Sequence, residues 1–220
     1  MTRTRPVLRR LGAPLVAAVV VLAAWDSVFV WPLRLFVVFL HEVSHGLAAV
    51  ATGGAIVRIE LSPAEGGLCV TRGGSRFVVL SAGYLGSLAW GVVILLLGAR
   101  GRRDRQAVAA LGLMTLAVTL VYVRSLFGFA YGLGAGAALL AVAWRLPAAV
   151  SDAVLVVVGT VSCLYAVWDV ASDVLLRDIP GSDAHALAAL TGVPAIVWGL
   201  FWMALALVVT TVTLRRLARG

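Results

Sequence analysis

The sequence predicts a polytopic α-helical membrane protein of about 6–7 transmembrane helices, with a small β-hairpin or sheet inserted around residues 55–79. Three observations predict it. The 220 residues are 62% hydrophobic, well above the ~45–50% of soluble domains, and the mean hydropathy is +1.04. The apolar residues gather into runs close to the ~20 helical residues that span a bilayer. One stretch, 55–79, breaks this habit and alternates apolar with polar positions. The chain reads as one integral membrane domain over 1–220, located in the cell membrane as a multi-pass protein.

The runs follow in order. The first covers about 11–31, after the basic start "MTRTRPVLRR". It has the look of a signal peptide, but no later soluble domain needs export, so we read it as the first transmembrane helix. The second covers about 33–52 and the third about 77–98. Residues 106–144 are long enough for two short helices broken near Arg124, and further spans cover about 151–175 and 194–214. Between the second and third runs, "AIVRIELSPAEGGLCVTRGGSRFVV" is interrupted at Pro63, Gly66–Gly67 and Gly73–Gly74, a strand and hairpin pattern. Residues 177–193 form a polar turn and a short interfacial helix, with Ser182 or Asp183 as its N-cap.

The formal charge is +8, from 18 basic residues against 10 acidic ones, and every basic residue is arginine. The arginines flank apolar runs, which suits lipid headgroups and not nucleic acid. Seven spans would leave nine arginines on each side, so the positive-inside rule does not orient the chain. The two cysteines, Cys69 and Cys163, lack a CxxC partner, which leaves neither a disulfide framework nor a Cys-based metal site.

The chemistry gathers in "FVVFLHEVSHG". His41 and His45 are four residues apart, so on a helix they share one face and can reach one metal ion. Glu42, on the adjacent face, can hold a water beside that metal and take its proton as general base. With three His and three Glu in the chain, the pattern would arise by chance roughly once in two thousand such sequences. Each ionisable group deep in a bilayer costs about 2.5–3.5 kcal/mol, so three together need a purpose. A hydrogen-bonded cluster that merely holds helices together is the plain alternative.

His41-Glu42-Val43-Ser44-His45-Gly46 inside a hydrophobic helix resembles the site-2 protease family of intramembrane zinc metallopeptidases, in its small bacterial branch. The resemblance runs from about Phe36 to Trp202. It implies one zinc ion held by His41 and His45, a small β-sheet after the zinc helix, and then a Gly-rich helix start. The family's Ala-Gly-Pro-x-x-Asn signature falls on Ala82-Gly83-Tyr84-Leu85-Gly86-Ser87, so Tyr84 replaces Pro and Ser87 replaces Asn. Gly83 and Ser87 would position substrate if that role survives; a small-xxx-small helix contact is the other reading.

A catalytic zinc needs a third protein ligand. The family's Leu-Asp-Gly motif is absent. The late cluster offers Asp169, Asp173, Asp178, Asp183 and His185. Asp169, in the membrane run after "LYAVW", is the preferred ligand, because a carboxylate at that depth calls for a metal or a partner. Asp173 and Asp183 are alternatives, Asp173 also as a partner to an imidazole N–H and Asp183 also as an N-cap. Asp26 can approach the site, and Arg124 can pair with an acid or mark a helix end.

The expected function is an intramembrane zinc metalloprotease that hydrolyses peptide bonds of membrane-protein substrates within or near the bilayer. An edge of the 55–79 hairpin can accept an unwound substrate as an added strand, or the hairpin simply covers the mouth of the bundle. Two other classes stay open: an inactive membrane protein that keeps its metal site for structure or partner binding, and a transporter of metal ions or protons.

Overall fold

The computed structural model describes residues 7–101, 103–176 and 181–219, without the side chains of 7–11, 100, 175 and 176. Asp178, Arg177, Arg102 and the first six residues lie outside the described set. The chain runs through α1 (Val7–Ala23), α2 (Trp31–Ala51), β1 (Ala55–Leu61), β2 (Gly67–Arg72), α3 (Arg76–Arg100), α4 (Asp104–Tyr122), α5 (Leu126–Arg145) and α6 (Ala148–Ala171). A π-helical turn (Ser172–Leu176), α7 (Asp183–Thr191) and α8 (Ala195–Arg219) follow. Among the described residues, six helices are long and apolar enough to cross a membrane: α2 to α6 and α8. This is an integral, multi-pass membrane protein.

The first expected span divides. The apolar stretch of α1, Gly12–Ala23, is too short to cross. The chain then turns, with Trp25 N–H donating to the Leu22 carbonyl and Ser27 N–H to that of Ala24. Asp26 lies in this turn with its side chain 98% exposed. A charged residue in water between two apolar runs ends one helix before the next begins. Pro32 sits in the first turn of α2, where its missing N–H leaves no bond unmade.

Burial sorts the helices. Of the apolar window of α2, 67% is buried, and of α6, 61%; for α4 and α5 the figure is 28%, and for α8 it is 17%. The helix that carries the two histidines is therefore walled by protein, while α4, α5 and α8 face outward. Helices α3 and α6 approach closely because glycines face the partner backbone. A Cβ on Gly159 would come within 2.6 Å of the Leu95 nitrogen.

The break near Arg124 is real. Helix α4 ends at Tyr122, and the Arg124 guanidinium donates to the carbonyls of Val123 and Val121. A cation on the orphan carbonyls at a helix C-terminus is favourable. Arg124 is thus a helix-end cap. Its backbone N–H donates to the Ile59 carbonyl at 2.9 Å, which ties this joint to β1.

Strands β1 and β2 form a two-stranded antiparallel hairpin, from Ala55↔Arg72 to Leu61↔Gly67, with a register shift between Ile56 and Arg58. The outer edge of β1 is covered: Ile59 bridges Val123, and the Ser125 hydroxyl bonds both the N–H and the carbonyl of Leu61. Among the described residues no strand covers the outer edge of β2. The hairpin turn is pinned to the start of α2 by Trp31 Nε1, which donates to the Pro63 carbonyl, and by the Arg34–Glu65 ion pair at 2.8 Å.

Gly159→Leu is expected to force α3 and α6 apart and to cost at least about 1–3 kcal/mol, the usual cost of overpacking. The unfolding midpoint in detergent checks it; an unchanged midpoint would contradict the glycine contact.

Candidate metal centre

Helix α2 presents His41 and His45 on one face, with ring centroids 4.8 Å apart. Both Nε2 atoms point to the same atom, the Oδ2 of Asp183, at 3.2 Å from His41 and 3.1 Å from His45. Ligand atoms from these three residues all lie within 4.8 Å of one another. Their side chains are 12%, 8% and 15% exposed. Asp183 is the first residue of α7 and Ser182 takes the N-cap position, so Asp183 is free of the capping role and turns its carboxylate inward.

The tautomers suit a metal. His45 Nδ1 lies 2.7 Å from the Val79 carbonyl. A carbonyl can only accept, so Nδ1 carries the proton and Nε2 keeps its lone pair for the site. His41 Nδ1 faces Asp169 Oδ2 at 3.6 Å and Ser87 Oγ at 3.5 Å, again leaving Nε2 toward Asp183. Burial alone would raise the pKa of Asp183; without a metal, the charge of His45 and Nε2–H bonds from both imidazoles outweigh it and hold this carboxyl down at about 2, and a bound metal ion would take the place of those Nε2 protons. The acid is thus ionised and ready as a ligand across the ordinary pH range.

Space for an ion is built into α3. A Cβ on Gly83 would land on His41 Nε2 and Asp183 Oδ2, so only glycine leaves that point open. Two imidazole nitrogens, one carboxylate oxygen and a clear gap between them fit a tetrahedral metal with one open position.

Glu42 is 5% exposed and accepts a hydrogen bond from the Cys69 backbone N–H. It also packs against Gly67, where a Cβ would overlap the carboxylate. The Ile59 carbonyl opposite Cys69 points away from β2 to Arg124. The pair is therefore of the non-hydrogen-bonded kind, and the outward-pointing groups of Gly67, Cys69 and Thr71 lie along the free edge of β2. That edge lines a cavity of about 1230 Å³, together with His41, Glu42, His45, Asp169 and Asp183. Burial, then the Glu42 charge, pushes the Cys69 thiol up to about 12, so it stays a neutral neighbour of the carboxylate.

The other expected site residues fall as follows. Asp169 lies in the cavity wall and approaches His41 from the Nδ1 side, away from the point where the Nε2 atoms converge. Asp173 accepts a hydrogen bond from the Tyr84 hydroxyl at 2.8 Å. Ser87 is 1% exposed and donates to the Gly83 carbonyl. His185 Nδ1 meets the Ser182 hydroxyl at 2.9 Å, and Asp26 lies 3.8 Å from Arg34. Sequence reasoning missed the Val79 carbonyl, the Cys69 N–H and Tyr84. The two backbone groups leave no trace in residue identity; Tyr84 was visible only as a substitution.

Residues 14–213 match the family model described as Peptidase M50B-like. The chain belongs to this family. No curated protein and no solved structure matches it. An M50B-like peptidase has the fold of an intramembrane zinc metalloendopeptidase, and here the candidate His-His-Asp site sits inside the membrane-spanning bundle.

For this M50B-like chain, Gly83→Ala is expected to weaken divalent-metal binding by about tenfold or more. The metal-free fold should also lose about 1–3 kcal/mol, the usual cost of overpacking, because the new Cβ would overlap His41 and Asp183 even without a metal. Competition with a chromophoric chelator, beside thermal unfolding, checks both; equal affinity would refute the cradle.

Proposed function

We propose that this protein is a zinc endopeptidase in which His41, His45 and Asp183 hold one Zn²⁺ and Glu42 is the general base. The observation that carries the reading is the convergence of both Nε2 atoms on Asp183 Oδ2 above the gap at Gly83. This convergence favours Asp183 over Asp169 as the third ligand. When bound, the ion would supply Lewis acidity, polarising the scissile carbonyl and acidifying a water. Glu42 takes a proton from the attacking water and returns it to the leaving amine. The Cys69 N–H fixes one side of that carboxylate, and burial keeps bulk water from competing with it.

The substrate is a membrane-protein segment that must be unwound, because a helix spends its backbone groups on itself. The outer edge of β2, which has no partner strand among the described residues, supports binding by strand addition through its outward groups other than the Cys69 N–H, which Glu42 takes. This edge lies beside Glu42, so an added strand would bring a peptide bond to the base and the metal.

The test uses purified protein in detergent or vesicles with a transmembrane peptide substrate. Glu42→Gln should lower the cleavage rate by about 10²–10⁴-fold, the range for removal of a general base, while zinc stays bound. Chelation should abolish cleavage and added Zn²⁺ restore it. Asp183→Ala should lose zinc and activity together. Cleavage that persists after chelation, or in Glu42→Gln, would refute the reading.

A further inference from the structure

His41 is touched on every side except the one that faces the metal gap. Its Nδ1 lies 3.5 Å from Ser87 Oγ, at the limit of a hydrogen bond, and 3.6 Å from Asp169 Oδ2, at ion-pair distance. The ring of Tyr84 meets the imidazole edge to face, with centroids 5.3 Å apart and planes at 86°. Tyr84 is 3% exposed and is itself held twice. Trp202 packs on its ring at 5.0 Å, and its hydroxyl donates to Asp173 Oδ2 at 2.8 Å.

Asp169 and Asp173 come from one piece of chain, the end of α6 and the π-helical turn that follows. A π turn holds an extra residue and changes the direction of the side chains after it, a device that recurs at functional sites. Here it lets two carboxylates from consecutive turns do different work, one at His41 Nδ1 and the other at the Tyr84 hydroxyl. Tyr84 and Ser87 are also the two positions where the chain departs from the Ala-Gly-Pro-x-x-Asn pattern, and both sit against His41.

We propose that Asp169, Tyr84 and Asp173 form a bracket that positions His41, with the Asp169 carboxylate set beside the Nδ1 side of the ring, Tyr84 walling the ring, and Asp173 anchoring Tyr84. They act through His41 and do not ligate the metal. The rotamer of an imidazole and the basicity of its ligating nitrogen depend on such partners, and their loss typically weakens metal binding by about 10–100-fold. Asp169 thereby keeps a role at the site, but on the far nitrogen. This inference rests on the reading of His41 as a metal ligand.

The experiment measures Zn²⁺ affinity by chelator competition and the visible absorption of the Co²⁺-loaded full chain, in wild type, Asp169→Ala, Asp169→Asn, Tyr84→Leu and Tyr84→Phe. Thermal unfolding of each metal-free protein reports whether the fold survives. The bracket predicts about 10–100-fold weaker Zn²⁺ binding in Asp169→Ala and Tyr84→Leu, with altered Co²⁺ bands. It predicts substantial recovery in Asp169→Asn, whose amide oxygen still accepts, and a smaller loss in Tyr84→Phe, which keeps the ring. Wild-type affinity and spectra in Asp169→Ala and Tyr84→Leu would overturn the bracket and leave the metal site standing. Complete loss of metal in Asp169→Ala, equal to that of Asp183→Ala, would overturn it by making Asp169 a ligand. A wild type that binds neither metal would overturn the site and the bracket together.

Discussion

The structure depends on the cost of placing ionisable side chains inside an apolar helical bundle, where a cavity reaches them. His41, Glu42 and His45 sit within one turn of a helix in an apolar bundle, and each would cost about 2.5–3.5 kcal/mol if left alone at bilayer depth. The solution is mutual satisfaction. Both Nδ1 atoms have acceptors, both Nε2 atoms share Asp183, and Glu42 takes a backbone N–H from β2. Partnered charges in a dry interior are strong and directional, which is also the condition for chemistry there.

The remaining architecture follows from that constraint. Helix α2 is central so that its polar face never meets lipid. Glycine faces the site from α3 and from β2, because a Cβ there would overlap His41 and Asp183 or the Glu42 carboxylate. The hairpin reaches Glu42 only because its turn is fastened to Trp31 and Arg34, and because β1 is closed off by the α4–α5 joint. What is left without a partner strand, among the described residues, is the outer edge of β2, which holds Glu42 by its Cys69 N–H and faces the cavity.

Much of this was legible in the chain itself. The spacing of His41 and His45 is a local property of a helix, so it survives without tertiary knowledge, and the glycine pairs marked the hairpin turns. Asp183 was harder. Depth in an apolar run favoured Asp169, and an acid at the start of a short helix after a polar turn resembles a cap. Only the packing of α7 against α3 returns that acid to the bundle, and Ser182 holds the cap position instead. The short first helix was hidden for a similar reason: the turn bonds of Trp25 and Ser27 end α1, while the surrounding composition stays apolar. The Val79 carbonyl and the Cys69 N–H could not be read at all, since every residue but proline carries such groups.

The central claim is the ligand set, and X-ray absorption at the zinc edge of the loaded protein tests it most directly. The account predicts two imidazoles and oxygen neighbours at about 2.0–2.2 Å, no sulfur, the same neighbours in Asp169→Asn, and no specifically bound zinc in Asp183→Ala. A sulfur shell near 2.3 Å, or a spectrum that Asp183→Ala leaves unchanged, would contradict it.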